Sequence, residues 1–161
     1  MSNVTDLLAE IATMPVTKRA ITNHKSLNEA YDYGSAFSRG MRIDLKGLTI
    51  LLISGTASID EHGNTVHVGD LRGQVRRTFD NISALLASEG ATWHDIVRTT
   101  CYLRDIERDY KVFNEERTVF YERQGLDPLP ASTGIQAILC RPDLLVEIEA
   151  IAMFHHESPK E

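Results

Sequence analysis

The apolar positions of this chain follow two different periods, and the changes between them mark out its elements. Leu48 to Ser54 (LTILLIS) is a nearly unbroken apolar run of strand length, and Gly55 is expected to stop it. Phe37 to Asp44 alternates roughly, with a turn at Gly47. A further turn is expected at His62-Gly63-Asn64, followed by a short strand around Val66 and Val68. Beyond Asp70 the period lengthens: Leu71, Val75, Phe79, Ile82, Leu85 and Leu86 recur at helical spacing. Asp70 suits the N-cap of that helix, which runs to Ser88, and Gly90 its C-terminal stop.

Ile96 to Leu103 (IVRTTCYL) is β-branched and reads as a strand. Asp109 to Arg123 reads as a second helix presenting Val112, Phe113, Val119 and Phe120, with Gly125 ending it. Gly134 to Cys140 and Leu144 to Phe154 read as two closing strands around the turn Arg141-Pro142-Asp143. At the other end, Asn3 or Thr5 can cap a short helix carrying Leu7, Leu8, Ile11 and Met14. Pro15 to Asn28 is weakly patterned and reads as an arm that packs on a partner or a sheet edge. The expected division is therefore 1–30 as N-terminal helix and arm, 31–156 as the folded domain, and 157–161 as a tail.

Strands, helix, strand, helix and strands in that order predict an α+β fold, one mixed sheet with two helices on one face. The last strand shows what this leaves unresolved. Val146, Ile148, Ala150, Ala152 and Phe154 point to one face, and Glu147, Glu149, Ile151 and Met153 to the other. Both faces carry large apolar side chains, while only two long helices are available as cover. The second face is expected to be buried in an oligomer.

Composition narrows the class of partner. A formal net charge of -6 argues against nucleic acid, whose capture needs a positive surface. No apolar run approaches membrane-spanning length and no basic-then-apolar leader is seen, so a cytoplasmic protein without membrane contact is expected. Cys101 and Cys140 lie in apolar runs, too few and too far apart for a disulfide framework, and both read as core thiols in a reducing compartment. No metal-ligand spacing or phosphate-cradling glycine loop occurs, so neither metal nor organic cofactor is expected.

An ordered set of positions resembles the Rid (YjgF-like) family of reactive-intermediate deaminases. The set runs through Ser54-Gly55, Gln74, Asn81, Leu85-Leu86, Gly90, Val97, Thr99-Thr100, Asp105, Asn114, Phe120, Pro130-Ala131 and the ending VEIEAIA. The resemblance implies a chorismate-mutase-like subunit, a homotrimer whose sheets form a central barrel, and ligand clefts between subunits. It implies cofactor-free hydrolysis of reactive enamines and imines. It also sets Glu147 at the residue that holds or polarises the attacking water.

Three cleft positions depart from the family pattern. Ser132 stands where deaminating members carry an arginine that clamps the substrate carboxylate, Gly134 where many carry a cysteine, and Phe37 where a tyrosine is usual. A hydroxyl has neither the charge nor the planar fork of a guanidinium, so the standard imine deaminase reaction is not expected.

The candidate site is then Glu147 as general base, with Phe37, Arg39, Gly55, Ser132, Thr133 and Gly134 binding a small metabolite. The competing reading of Glu147 is a sheet-face carboxylate paired with a neighbour's arginine, and Glu149 reads as structural. Arg39 can clamp an anion from a new direction or sit solvated at a strand edge; Arg141 reads as a turn residue facing solvent. Ser132 lacks a nucleophile elbow or a placed histidine base. Arg72, Arg76 and Arg77 read as partners for carboxylates on the helix surface. The function expected is a deaminase-like hydrolase, with a non-catalytic binding or regulatory trimer as alternative. Chorismate-type acid conversion and endoribonuclease activity stand behind both.

Overall fold

Strand pairing decides how the two apolar periods are used. The computed structural model describes residues 9, 15–22, 27–28, 34–45 and 47–155. The expected N-terminal helix, apart from helical Ala9, and the tail at 157–161 lie outside them. Six strands, β1 (Thr17–Ala20), β2 (Gly40–Leu45), β3 (Leu48–Ala57), β4 (Ile96–Leu103), β5 (Ala131–Gln136) and β6 (Val146–His155), form one sheet in the order β1-β2-β3-β6-β4-β5. All neighbours are antiparallel except β4 and β5, so the sheet is mixed.

Two helices, α1 (Leu71–Ser88) and α2 (Ile106–Gln124), pack on one face. Asp70 caps α1 by accepting from the Gly73 amide. The second helix begins three residues before the expected Asp109. Asp105 is its cap and accepts from the Arg108 amide, while Ile106 packs against the core. Gly125 ends it at φ 66°, a left-handed conformation that a Cβ disfavours.

Three further expectations are corrected by the pairing. Gly55 does not stop β3, which continues to Ala57 across a register shift between Ile53 and Thr56, a β-bulge. The turn at His62-Gly63-Asn64 is held by Asp60, whose carboxylate accepts from the His62 and Asn64 amides. It leads only to an isolated bridge between Ile59 and Thr65, not to a strand at Val66 and Val68. The two closing strands do not pair with each other. β6 inserts between β3 and β4, and β5 ends at Gln136 as the parallel neighbour of β4.

The arm of the sequence reading contributes β1, which pairs with β2 from Thr17↔Asp44 to Ala20↔Met41 and forms a sheet edge. Glu89, at the end of α1, ties this edge to the helix layer. It accepts from Arg19 at 2.6 Å and from Arg42 at 3.2 Å.

Val146, Ile148, Ala150 and Ala152 are buried under the helices, as the alternation of β6 predicts. Phe79 of α1 stacks on Phe120 of α2 with centroids 4.5 Å apart, and Trp93 meets both rings edge-on. Two buried amides fasten loops to α1. Gln74 donates to the carbonyls of His67 and Asp143 and accepts from the Leu145 amide. Asn81 donates to the carbonyls of Ala57 and Ile59. The helix arginines do find carboxylates: Arg72 bonds Glu115 and Glu116, Arg76 bonds Glu116, and Arg77 lies 3.9 Å from Glu61. The first two cross between helices and stitch them together.

Among the described residues, no helix covers the opposite sheet face. Leu52, Val97, Ile135 and Met153 are each about 40% exposed there.

Candidate functional site

The bulge in β3 shapes the site. Register brings Glu147 opposite both Ala57 and Tyr102, so its carboxylate projects from the uncovered face. The extra residue around Gly55 bends β3 beside it, and the missing side chain of Gly55 leaves the space the Glu147 carboxylate fills. Ser54 is fixed at the same bend, its amide donating to Arg39 O and its hydroxyl to Ser38 O.

A cavity of about 410 Å³ opens over this carboxylate. Phe37, Arg39, Gly55 and Glu147 all line it, with Cys140 and Arg141 on the facing wall. Four of the seven residues picked from sequence are thereby brought together. Half-buried Glu147 makes no hydrogen bond or ion pair among the described residues. Its carboxyl is pushed above the ordinary carboxylate range, first by burial and then by the neighbouring charge of Glu149.

Arg39 is 4% exposed and is no solvated edge residue. Its Nε donates to Asn28 O at 2.9 Å and its Nη2 to Asn28 Oδ1 at 3.0 Å, and its guanidinium lies 5.5 Å from the centre of the Phe37 ring. Asn28 thus holds the fork in place on the cavity wall. Arg141 also lines the wall instead of merely facing solvent; its Nη1 donates to Gly63 O at 2.7 Å.

Ser132, Thr133 and Gly134 lie elsewhere in the subunit. Register pairs Ser132 with Thr99 and Gly134 with Cys101, buried positions under the helices, so both face the helix layer. Ser132 Oγ accepts from Thr99 Oγ1 and from Arg117 Nη1, each at 3.0 Å. Thr133 faces the uncovered side, where its hydroxyl accepts from Arg98 at 3.2 Å. Within one chain, therefore, Ser132 and Glu147 stand on opposite faces of the sheet.

Cys140 was expected inside a strand, yet it is exposed and lines the cavity. The reason is that β5 ends four residues before it. Cys101 is buried, and burial raises its thiol pKa. Among the described residues no cluster of three or more His, Cys, Asp or Glu side chains is placed to hold a metal, and no helix is long and apolar enough to cross a membrane.

The family profile described as Endoribonuclease L-PSP matches residues 29–154. A RutC family protein of Pyrococcus horikoshii is 33% identical over 108 residues, spanning 67% of this chain and 82% of the relative. The 3-aminoacrylate deaminase RutC of Acinetobacter baylyi is 31% identical over 107 residues, 66% of this chain and 81% of that protein. Among solved structures, the conserved Rid protein family member YyfA from Yersinia pestis superposes with a TM-score of 0.68 at 26% identity, covering 84% of this chain and 98% of its own. The YjgF gene product of E. coli gives a TM-score of 0.68 at 24% identity, covering 83% and 97%, a likeness of fold.

Proposed function

Since the chain belongs to the Endoribonuclease L-PSP family, the YjgF/RutC/Rid proteins, we propose that it is a deaminase-like hydrolase of a small reactive enamine or imine. The observation that carries this reading is the Glu147 carboxylate, half-buried, unpaired among the described residues and raised in pKa over the Gly55 bulge. A carboxylate whose pKa is raised by burial and a neighbouring charge is a stronger general base when ionised. At the mouth of a cavity it takes a proton from water as that water attacks the electrophilic carbon. Deaminating relatives such as the A. baylyi protein support the substrate class.

Binding in this reading rests on Phe37 and on Arg39, whose fork is already oriented by Asn28. Orientation before binding lowers the entropic cost of ordering a long side chain. The cleft is completed by a second subunit in a homotrimer, a reading supported by the exposed apolar side chains of the uncovered face. That arrangement also allows Ser132 to Gly134 of one copy to approach Glu147 of another, which the sheet forbids within one chain. The medium in which the protein works is the cytoplasm, where unstable nitrogen intermediates of metabolism arise.

The test is ammonia release from enamines and imines generated in place, with the mass of the assembly measured at the same concentration. Glu147→Gln is expected to lower the enzymatic rate by about 100-fold or more, the usual contribution of a positioned acid or base. Equal rates for the two proteins on every substrate turned over, or a monomer at assay concentration, would sink the proposal.

A further inference from the structure

Residues 60–65 are not among those lining the Glu147 cavity, yet the tip of their turn meets the supports of both arginines on its wall. Arg141 Nη1 donates to Gly63 O at 2.7 Å and to Thr65 Oγ1 at 3.4 Å. Asn28 accepts from Arg39 through both its carbonyl and its side-chain oxygen, and its amide packs against the α-carbon of the same Gly63. A Cβ built on Gly63 would stand 2.6 Å from Asn28 Nδ2 and 3.0 Å from Asn28 Cγ, so an alanine there displaces the Asn28 amide. Gly63 also has φ 81°, a left-handed conformation that favours glycine.

The turn is braced so that its tip holds still. Asp60 accepts from the His62 and Asn64 amides at 3.0 and 2.8 Å, its own amide donates to Asn64 O, and the Gly63 amide donates back to Asp60 O. Its base is fastened to α1, where Asn81 and Arg77 both donate to Ile59 O. Ser58 Oγ closes the loop by donating to Val66 O at 2.8 Å. The backbone of Arg141 is fixed separately, since Arg104 donates to the carbonyls of Arg141 and Leu144. Gly63 therefore meets the Arg141 fork directly and the Arg39 fork through Asn28.

We infer that the turn at 60–65 is a positioning element of the Glu147 cavity, with Gly63 the residue through which it sets the two guanidinium groups together. The turn stands outside the lining and acts by fixing where two positive charges lie on the wall. Support of this kind leaves less side-chain freedom to be lost when a ligand arrives. A displacement at the tip moves both charges at once, which no change at either arginine alone would do. The inference rests on the proposed function only in taking Arg39 for a ligand-binding group; the placement of the charges is measurable without a substrate.

Cys140 supplies the readout, an exposed thiol on the same cavity wall. In the full chain, its rate with the dianionic disulfide dithiobis-nitrobenzoate is divided by its rate with uncharged dithiodipyridine, which cancels changes in thiolate fraction. Arg39→Gln and Arg141→Gln are each expected to lower this ratio by about threefold or more, because nearby positive charge concentrates an anion. Gly63→Ala is expected to produce a fall of similar size with both arginines intact. Asp60→Ala loosens the same turn without adding a Cβ at the left-handed position. Loss of the Asp60 charge alone would raise the ratio, so a fall reports the arginines. In a background carrying both Arg39→Gln and Arg141→Gln, neither turn substitution should lower the ratio further. A fall in either turn variant that vanishes in that background supports the inference. An unchanged ratio in both turn variants, a fall that persists without the arginines, or arginine variants that leave the ratio untouched overturns it. None of these outcomes depends on enamine turnover, so failure of the deaminase reading and failure of this one are told apart.

Discussion

Gly55 and Glu147 are complementary in shape: a Cβ built on Gly55 would stand 2.9 Å from Glu147 Cδ and closer still to Oε1. No backbone strain explains the glycine, which has no positive φ. What it provides is room, at the bulge where β3 bends past the carboxylate.

Gly55→Ala is therefore a test of position more than of fold. The new methyl forces the carboxylate out of its seat, and the expected result is a loss of turnover comparable with that of Glu147→Gln. The stability cost is expected to be modest, about 1–3 kcal/mol as for other small overpacking changes. Denaturant unfolding beside a rate measurement separates the two effects. Full activity in the alanine variant would show that Glu147 does not need that seat.

The raised pKa of Glu147 gives a pH signature. A carboxyl that is harder to ionise in the folded chain favours folding below the ordinary value of 4.5, and that contribution is lost as pH rises through the raised folded value. Glu147→Gln removes the penalty of the buried charge. The variant is expected to melt above wild type at pH 7 to 8, with the difference closing toward pH 4. Thermal midpoints across that range check it, and a variant less stable than wild type at neutral pH contradicts the assignment.

Glu116 predicts the opposite sign. Hydrogen bonds from Arg76 and Arg72 hold its carboxyl below the ordinary 4.5, so its stabilisation is present above that value and disappears as pH falls through the depressed folded one. Glu116→Gln should lower the melting point at pH 7 and lose its effect in strong acid. Because the pair crosses from α1 to α2, Arg76→Gln is expected to show only part of the loss, with Arg72 still bonded to Glu116.

The two thiols should differ sharply in reactivity. Cys140 is exposed at the Glu147 cavity, whereas Cys101 is 1% exposed with a thiol raised by burial. Titration of the native protein with a disulfide reagent is expected to report one fast thiol, and the second only in denaturant. A ligand seated over Glu147 should slow the fast reaction. Two fast thiols in the native state would mean that the helix layer opens readily.

How far the sequence carried these conclusions depends on the range of the interactions involved. The periods of 71–88 and 96–103 were legible because each element's burial is written in its own residues. The parallel pairing of β5 with β4 and the insertion of β6 were not, since strand order arises from contacts between residues far apart in the chain. The same limit applied to the site. Glu147, Gly55, Phe37 and Arg39 were picked by position and converge on one cavity. That Asn28 would hold Arg39, or that Arg117 would reach Ser132 from a helix fifteen positions earlier, had no local signature.

The aromatic stack between the helices also equips the chain with an optical reporter. Trp93 is the only tryptophan of the sequence; it is 3% exposed, and its indole nitrogen donates to Ser83 at 2.8 Å. Its emission responds to the separation of α1, α2 and the sheet, while the Glu147 cavity lies on the far side of that sheet. Fluorescence can therefore follow unfolding of a cleft variant without confusing it with an empty or filled cleft. A Gly55 or Glu147 variant that keeps the wild-type emission maximum has kept its helix layer, and any change in its chemistry belongs to the site.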